Sequence, residues 1–227
     1  ALPEKNKHYI VEINDMTHEG QGVGRIDGFA VFVNGALTGE LVETRIIKVS
    51  RAYAVGKLID ILKPSPDRAE PFCSVFKRCG GCSLQHMNYE ATLRLKTKLV
   101  KDNIERIGGL KDVTVFDTIG MENPFNYRNK AQYPVGMIKN KLALGFYAAR
   151  SHNLIDINDC PIQHGINEKV IHLVHRFIQT YNIPDYDESV HKGIIRHVVI
   201  KVGFKSNQLM VIIVTNGELP RKKELVS

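Results

Sequence analysis

Four cysteines form the most chemically specific pattern in the 227-residue chain: Cys73, Cys79 and Cys82 in a Cys-x5-Cys-x2-Cys run, with Gly80-Gly81 inside the last pair, and a distant Cys160 followed by Pro161. Three clustered thiolates and one remote thiolate make a tetrahedral sulfur-only site, which suits zinc or an iron–sulfur cluster. The two glycines let the backbone fold tightly, so that amides can approach the sulfurs. Four unrelated core cysteines, or two disulfides, are the competing readings, and core cysteines rarely cluster so closely around two glycines. The opening residues Ala-Leu-Pro-Glu-Lys-Asn-Lys hold no apolar secretory core, so the oxidising compartment that disulfides need is not indicated. The Cys-Pro pair leans toward iron–sulfur, as in bacterial ferredoxins, and leaves zinc open.

A second pattern, Glu19-Gly-Gln-Gly-Val-Gly24, matches the glycine-rich turn that holds a nucleotide or S-adenosylmethionine. Such a turn works through the helix immediately after it, because the helix N-terminus and the close backbone do the binding. The next residues here, Arg25-Ile-Asp-Gly-Phe-Ala-Val-Phe-Val33, read as strand and turn. The segment is therefore expected to be a barrel turn or bulge.

The elements that must position these residues fall into two parts. Short strands separated by glycine turns are expected at Tyr9–Ile13, Gly22–Ile26, Phe29–Val33, Leu41–Val49 and Tyr53–Leu62, with Asp27-Gly28 and Asn34-Gly35 as the sharpest turn signals. Five strands in about 55 residues suggest a small barrel. Lys63-Pro-Ser-Pro-Asp67 breaks the pattern and sets the expected boundary, giving a barrel over 1–62 and a mixed α+β domain over 63–227. In the second part Glu90–Ile107 carries two helical apolar stripes, Leu93/Val100/Ile104/Ile107 and Ala91/Leu95/Leu99, with Arg94, Lys98 and Lys101 on a third face. A helix buried on two sides is wedged between two bodies. A second helix is expected over Glu168–Tyr181, strands at Lys111–Ile119, Lys130–Val135 and Leu142–Tyr147, and a hairpin from Ile194–Phe204 and Gln208–Thr215 with strands apolar on both faces.

Composition bounds the rest. The chain is 43% apolar and 24% charged, which suits a folded protein and argues against long disorder. No apolar run approaches the ~18 residues of a membrane span, so a soluble cytoplasmic protein is expected, as a monomer and with no membrane partner. Residues 1–60 carry 7 basic and 8 acidic side chains, whereas 61–130 and 131–227 each carry 12 and 8, so the +7 excess lies wholly after residue 60. A localised basic excess is the footprint of a nucleic-acid or anionic-surface binder, although many proteins of this charge bind neither.

An ordered set of motifs resembles the uracil-5 RNA methyltransferases, and within them the bacterial 23S ribosomal RNA branch that carries an iron–sulfur cluster. His18-Glu-Gly-Gln-Gly-Val-Gly-Arg25, Val31-Phe-Val-Asn-Gly-Ala36 and Gly39-Glu40 look like a TRAM RNA-binding barrel. Pro64-Ser-Pro-Asp-Arg68, Cys79-Gly-Gly-Cys-Ser-Leu-Gln-His86, Tyr127-Arg-Asn-Lys-Ala-Gln132 and Gly145-Phe-Tyr-x-x-Arg-Ser-His152 leading to Cys160 come in the family's order. The resemblance implies an OB-like TRAM barrel followed by an α+β central domain. It also implies a 4Fe-4S cluster on Cys73, Cys79, Cys82 and Cys160, ribosomal RNA as partner and S-adenosylmethionine as methyl donor. In that family a C-terminal domain binds the donor and supplies the cysteine that attacks C6 of uracil. The chain is expected to lack that domain, to be inactive alone, and to use the 88–109 helical segment to pack on it. The alternative is a stand-alone RNA-binding iron–sulfur module without catalysis.

For RNA contact the residues expected are Tyr127, Arg128, Lys130 and Gln132. Arginine and lysine neutralise phosphates, glutamine reads a base edge, and an aromatic ring replaces lost stacking when a base leaves its helix. With four thiolates available, His86 and His152 are expected to pack or to face RNA rather than bind metal.

Overall fold

The computed structural model describes residues 2–157 and 159–226, so the outermost ends of the two expected domains, Ala1 and Ser227, lie outside the described residues. The chain forms two compact units, each discontinuous in sequence: 1–71 with 83–121, and 72–82 with 122–227.

The first unit is built on five strands, β1 (His8–Met16), β2 (Gln21–Ile26), β3 (Phe29–Asn34), β4 (Leu41–Val49) and β5 (Tyr53–Lys63). They close into a barrel in the order β1-β2-β3-β5-β4, with β3 and β5 parallel and the other pairs antiparallel. Alternation produces this closure: Val11, Ile13, Val31, Val33, Val42, Ile46 and Ala54 all point inward and are buried. Asp27 and Gly28, both at positive φ, form the two-residue turn between β2 and β3. The glycine-rich stretch is barrel, as expected. A Cβ at Gly24 would collide with the Val11 side chain and the Glu12 carbonyl, so the glycine exists to let β1 approach.

The boundary expected after Leu62 moves. Glu40 is fully buried and accepts hydrogen bonds from the amides of Leu37 (2.8 Å) and Ser65 (3.2 Å). Arg68 grips it with both Nε and Nη2 and donates also to the Gly35 carbonyl at 2.7 Å. This bidentate pair ties the Pro-rich segment to the barrel, so the unit runs on to Pro71.

Helix α1 (Tyr89–Asp102) also belongs to this unit and ends in a π-helical turn, Asn103–Ile107. The Asn88 side chain caps its start by accepting from the Ala91 amide at 2.8 Å. Ala91 and Leu95 pack with Met16, Leu37 and Met87. On the other stripe, Leu93 lies against Gly120, and the adjoining segment is pinned by Thr97–Thr118 and Tyr89–Met121 hydrogen bonds of 2.9 and 2.8 Å. Farther along, Val100 (50%) and Ile107 (83%) are open to solvent. The strand expected at Lys111–Ile119 is absent and the segment is irregular. Its apolar side chains Phe116 and Ile119 are 84% and 96% exposed, and no neighbouring strand takes its backbone hydrogen bonds.

The second unit is an antiparallel sheet in the order β10-β9-β6-β7-β8, from β6 (Lys130–Ile138), β7 (Lys141–Tyr147), β8 (Leu154–Asp156), β9 (Ile195–Gly203) and β10 (Gln208–Thr215). Helix α2 (Ile166–Thr180) lays Val170, Ile171, Val174, Phe177 and Ile178 on one face of the sheet, against Ala131, Tyr133, Val135, Val198 and Ile200. A short α3 (Lys222–Val226) comes after the sheet. The hairpin expected to be apolar on both faces is so, but its second strand is not interior. β10 is the sheet edge, and Leu209, Met210, Val211, Ile212 and Val214 are each 37–56% exposed.

Candidate functional site

All four cysteines and all four expected RNA contacts lie in the second unit. The Cys73–Cys82 loop is a run of tight turns: Phe76 donates to the Cys73 carbonyl (3.0 Å) and Cys79 to that of Val75 (2.8 Å). It is stitched to the end of β7 by the Gly80 amide on the Tyr147 carbonyl (3.1 Å), the Ala149 amide on the Arg78 carbonyl (3.3 Å) and a Cys79–Ala148 bridge. A Cβ at Gly80 would stand 3.1 Å from the Ala149 Cα, so this close seam favours glycine.

The sulfurs gather only in part. Cys160 is half-buried; burial pushes its thiol pKa up, the amides of Ile162 and Gln163 aimed at the sulfur pull it down, and Cys82 and Cys73 push it up again. Cys79 Sγ accepts from the Gly81 amide at 3.4 Å. The expected tetrahedral set is nevertheless not assembled: among the described residues, no three His, Cys, Asp or Glu side chains stand where they could hold a metal ion. Drawing four thiolates together is unfavourable without a cation, so such a set closes only around a metal or cluster. The donor chemistry still fits an iron–sulfur group, since the ligands are soft and two of the sulfurs already receive backbone amides.

The expected RNA residues start beside Cys160. Asn126, at positive φ, donates through its amide to the Pro161 carbonyl (2.9 Å) and through its side chain to that of Gln163 (2.6 Å). The Arg128 amide donates to the Ile162 carbonyl at 2.9 Å. Tyr127 is 44% exposed, and Arg128, Lys130 and Gln132 also face solvent. On β6 the alternation turns Ala131 and Tyr133 inward and leaves Lys130 and Gln132 on the uncovered face. The register then adds a residue that sequence reasoning missed: Lys201 of β9 pairs directly with Lys130. Like charges face to face are unfavourable without an anion, and neither lysine makes an ion pair among the described residues. No local signal could have found Lys201, because strand register is a long-range property.

The two histidines separate. His86 is buried in the first unit, where burial and then the Arg68 charge lower its pKa to about 4. His152 belongs to the second unit, stacks on Tyr147 at 5.1 Å and has a side chain 78% exposed.

Comparison with known proteins adds three findings. Residues 4–59 match the TRAM domain family, the residues that close the barrel. Along 99% of its length the chain is 46% identical to an uncharacterized RNA methyltransferase of Clostridium tetani, covering 49% of that protein, and over 97% it is 48% identical to one from Halalkalibacterium halodurans, again covering 49%. The fold resembles the Pyrococcus abyssi tRNA (uracil-54, C5)-methyltransferase in complex with S-adenosyl-L-homocysteine, with a TM-score of 0.66 and 24% identity over 95% of this chain and 48% of that one. The chain thus spans about half the length of the curated relatives it matches. The expected absence of a C-terminal S-adenosylmethionine-binding domain is not upheld, since one relative matches along 99% of this chain. No helix among the described residues is long and apolar enough to cross a membrane.

Proposed function

We infer that these residues are the RNA-recognition and iron–sulfur part of an S-adenosylmethionine-dependent methyltransferase that acts on C5 of uridine in 23S ribosomal RNA. The observation that carries RNA methylation is the identity of 46–48% along nearly the whole chain with proteins named RNA methyltransferase; the cluster and the ribosomal substrate rest on the cysteine spacing and the motif resemblance. The TRAM barrel and the exposed Tyr127, Arg128, Lys130 and Gln132 support RNA as the partner. Cys73, Cys79, Cys82 and Cys160 would hold the 4Fe-4S cluster, and the cluster would supply a clip between the Cys73–Cys82 loop and the Cys160 segment. With all four thiolates at iron, none of the chain's cysteines is free to add to C6 of uracil. The exposed Val100 and Ile107 on the α1 side of the first unit are offered as a packing surface for a methyltransferase domain.

The test is methyl transfer from labelled S-adenosylmethionine to unmodified 23S RNA and to unmodified tRNA. A complete enzyme containing these residues should label uracil C5 in 23S RNA, and the 227-residue chain alone should label neither RNA. Label in tRNA only would overturn the substrate, and label from the chain alone would overturn the cysteine assignment.

A further inference from the structure

Away from the residues already assigned, the second unit holds a connected group of rings and charges. Arg196 sits at an irregularity in the β9–β10 ladder: Val214 pairs with His197 and Thr215 with Ile195, so Arg196 is the extra residue of a β-bulge. Bulges re-aim side chains and are common beside functional sites. Here the guanidinium lies 4.6 Å from the centre of the Tyr186 ring and reaches Glu188 at 3.5 Å. Its Nε is shielded from water and has no hydrogen-bond partner among the described residues. From the other side His152 Nδ1 meets Glu188 at 3.3 Å, and the His152 ring stacks on Tyr147 with an interplanar angle of 18°. The loop carrying Tyr186 and Glu188 is held by Tyr186–Ile195 and Asp187–Lys192 backbone bonds of 2.9 and 2.7 Å, with Gly193 at positive φ where a Cβ would run into the Asp185 carbonyl.

The group is too exposed to serve stability, because His152 and Glu188 side chains are 78% and 49% accessible and ion pairs at such exposure contribute little. Its chemistry suits a different purpose. A guanidinium lying over a ring on one side leaves its other face for a planar ligand, and a stacked Tyr–His pair offers a second platform. The carboxylate between them repels phosphate, which turns the group from the RNA backbone toward a base. Each Glu188 oxygen already takes one partner and keeps a further lone pair, so the carboxylate can accept the two adjacent N–H donors of guanine.

We propose that Tyr147, His152, Tyr186, Glu188 and Arg196 form a stacking subsite for an unpaired guanine of the RNA substrate. The proposal rests on the RNA-binding part of the function inferred above and names a contact outside the Tyr127–Gln132 segment. Lys201 and Arg196 are five residues apart on β9, roughly 17 Å along the strand, so one single-stranded segment can reach both.

Fluorescence anisotropy of the 227-residue chain with labelled RNA octamers tests it. The octamers are oligouridine with one central guanine, and the same strand with an abasic nucleotide there. The guanine strand should bind roughly five- to tenfold more tightly, in keeping with the usual worth of one stacked base. His152→Ala, at an exposed position that cannot disturb the fold, and Arg196→Lys, which keeps the charge and loses the plane, should each reduce that ratio toward one while leaving the salt dependence unchanged. A ratio near one in the unmodified chain, or a ratio that survives both substitutions, overturns the subsite alone when salt-dependent binding persists. No binding of any RNA overturns the subsite and the inferred function together.

Discussion

The two units solve the same problem in opposite ways. In the first, closure of the barrel leaves its five strands no free edge, and Glu40, the one fully buried carboxylate among the described residues, is answered by Arg68 and two amides. In the second, an open sheet packs helix α2 on one face, β10 stands exposed at the edge, and two lysines face each other with no carboxylate paired to them among the described residues. The first unit answers its buried carboxylate internally. The second leaves sulfurs, cations and rings directed outward, which is the condition of a surface that awaits a metal, an anion or a base. The barrel's stability and the sheet unit's binding chemistry therefore lie in different units, and either unit can be disturbed without the other.

The largest expected effect is on the second unit. Protein purified without oxygen should be brown, with roughly four irons and four sulfides per chain. Cys160→Ser should lose the colour and the cooperative unfolding of the sheet unit together, while the barrel keeps its folded NMR signals. One zinc and no sulfide would break this. Next in size is the matching lesion in the barrel: Arg68→Ala leaves Glu40 buried without its cation, which costs about 3 kcal/mol, read as a lowered urea midpoint. A midpoint within error of the parent would show that the pair does not anchor the Pro64–Pro71 segment.

The contrast between the units also decides what the amino-acid sequence could reveal. Barrel strands were legible to within a few residues because Val11, Ile13, Val31 and Val33 alternate strictly and Asp27-Gly28 and Asn34-Gly35 punctuate them. Both long helices came from their apolar stripes, with α1 ending in a π-helical turn that no stripe announces. The three-residue β8 is too short to show a period, and Lys111–Ile119 has the composition of a strand without a neighbour to pair with. At the candidate site the residue types were legible and their company was not. The cysteine spacing pointed to one site, yet the Lys130–Lys201 pairing depends on register between strands roughly 70 residues apart, and the bulge at Arg196 on a slip in the β9–β10 ladder that no spacing announces.

A smaller effect should separate the units by pH. His86 is pushed down to about 4 by burial and then by Arg68, so between the unfolded value near 6.5 and about 4 the unfolded chain binds the proton and the folded one does not. Stability of the barrel unit is therefore complete above pH 6.5 and falls as pH drops through that window, by about 2 kcal/mol after allowance for solvent. The carboxyl of Glu40 adds to the fall at lower pH: burial raises its pKa, but Arg68 and the amides of Leu37 and Ser65 outweigh this and hold it below the usual range. His86→Gln cannot titrate and should flatten the slope between pH 6.5 and 4.5. An unchanged slope would place the pH dependence elsewhere.

The smallest effect bears most directly on function. The formal charge of +7 falls to about +5 once four thiolates surround a 2+ cluster, so RNA binding should be weak and salt-sensitive, with a log–log slope set by a few phosphates. Lys130 and Lys201 face each other on the uncovered sheet face, and a phosphate between them would relieve their repulsion. Lys130→Ala and Lys201→Ala should therefore each weaken binding by about 0.5–1 kcal/mol and reduce the salt slope by nearly one. The double variant should lose less than the sum, because removing either lysine already removes the repulsion that the phosphate offsets. The barrel midpoint should stay fixed throughout. Additive losses would mean that the lysines meet separate phosphates, and an unchanged slope in both single variants would move the RNA off this face of the sheet.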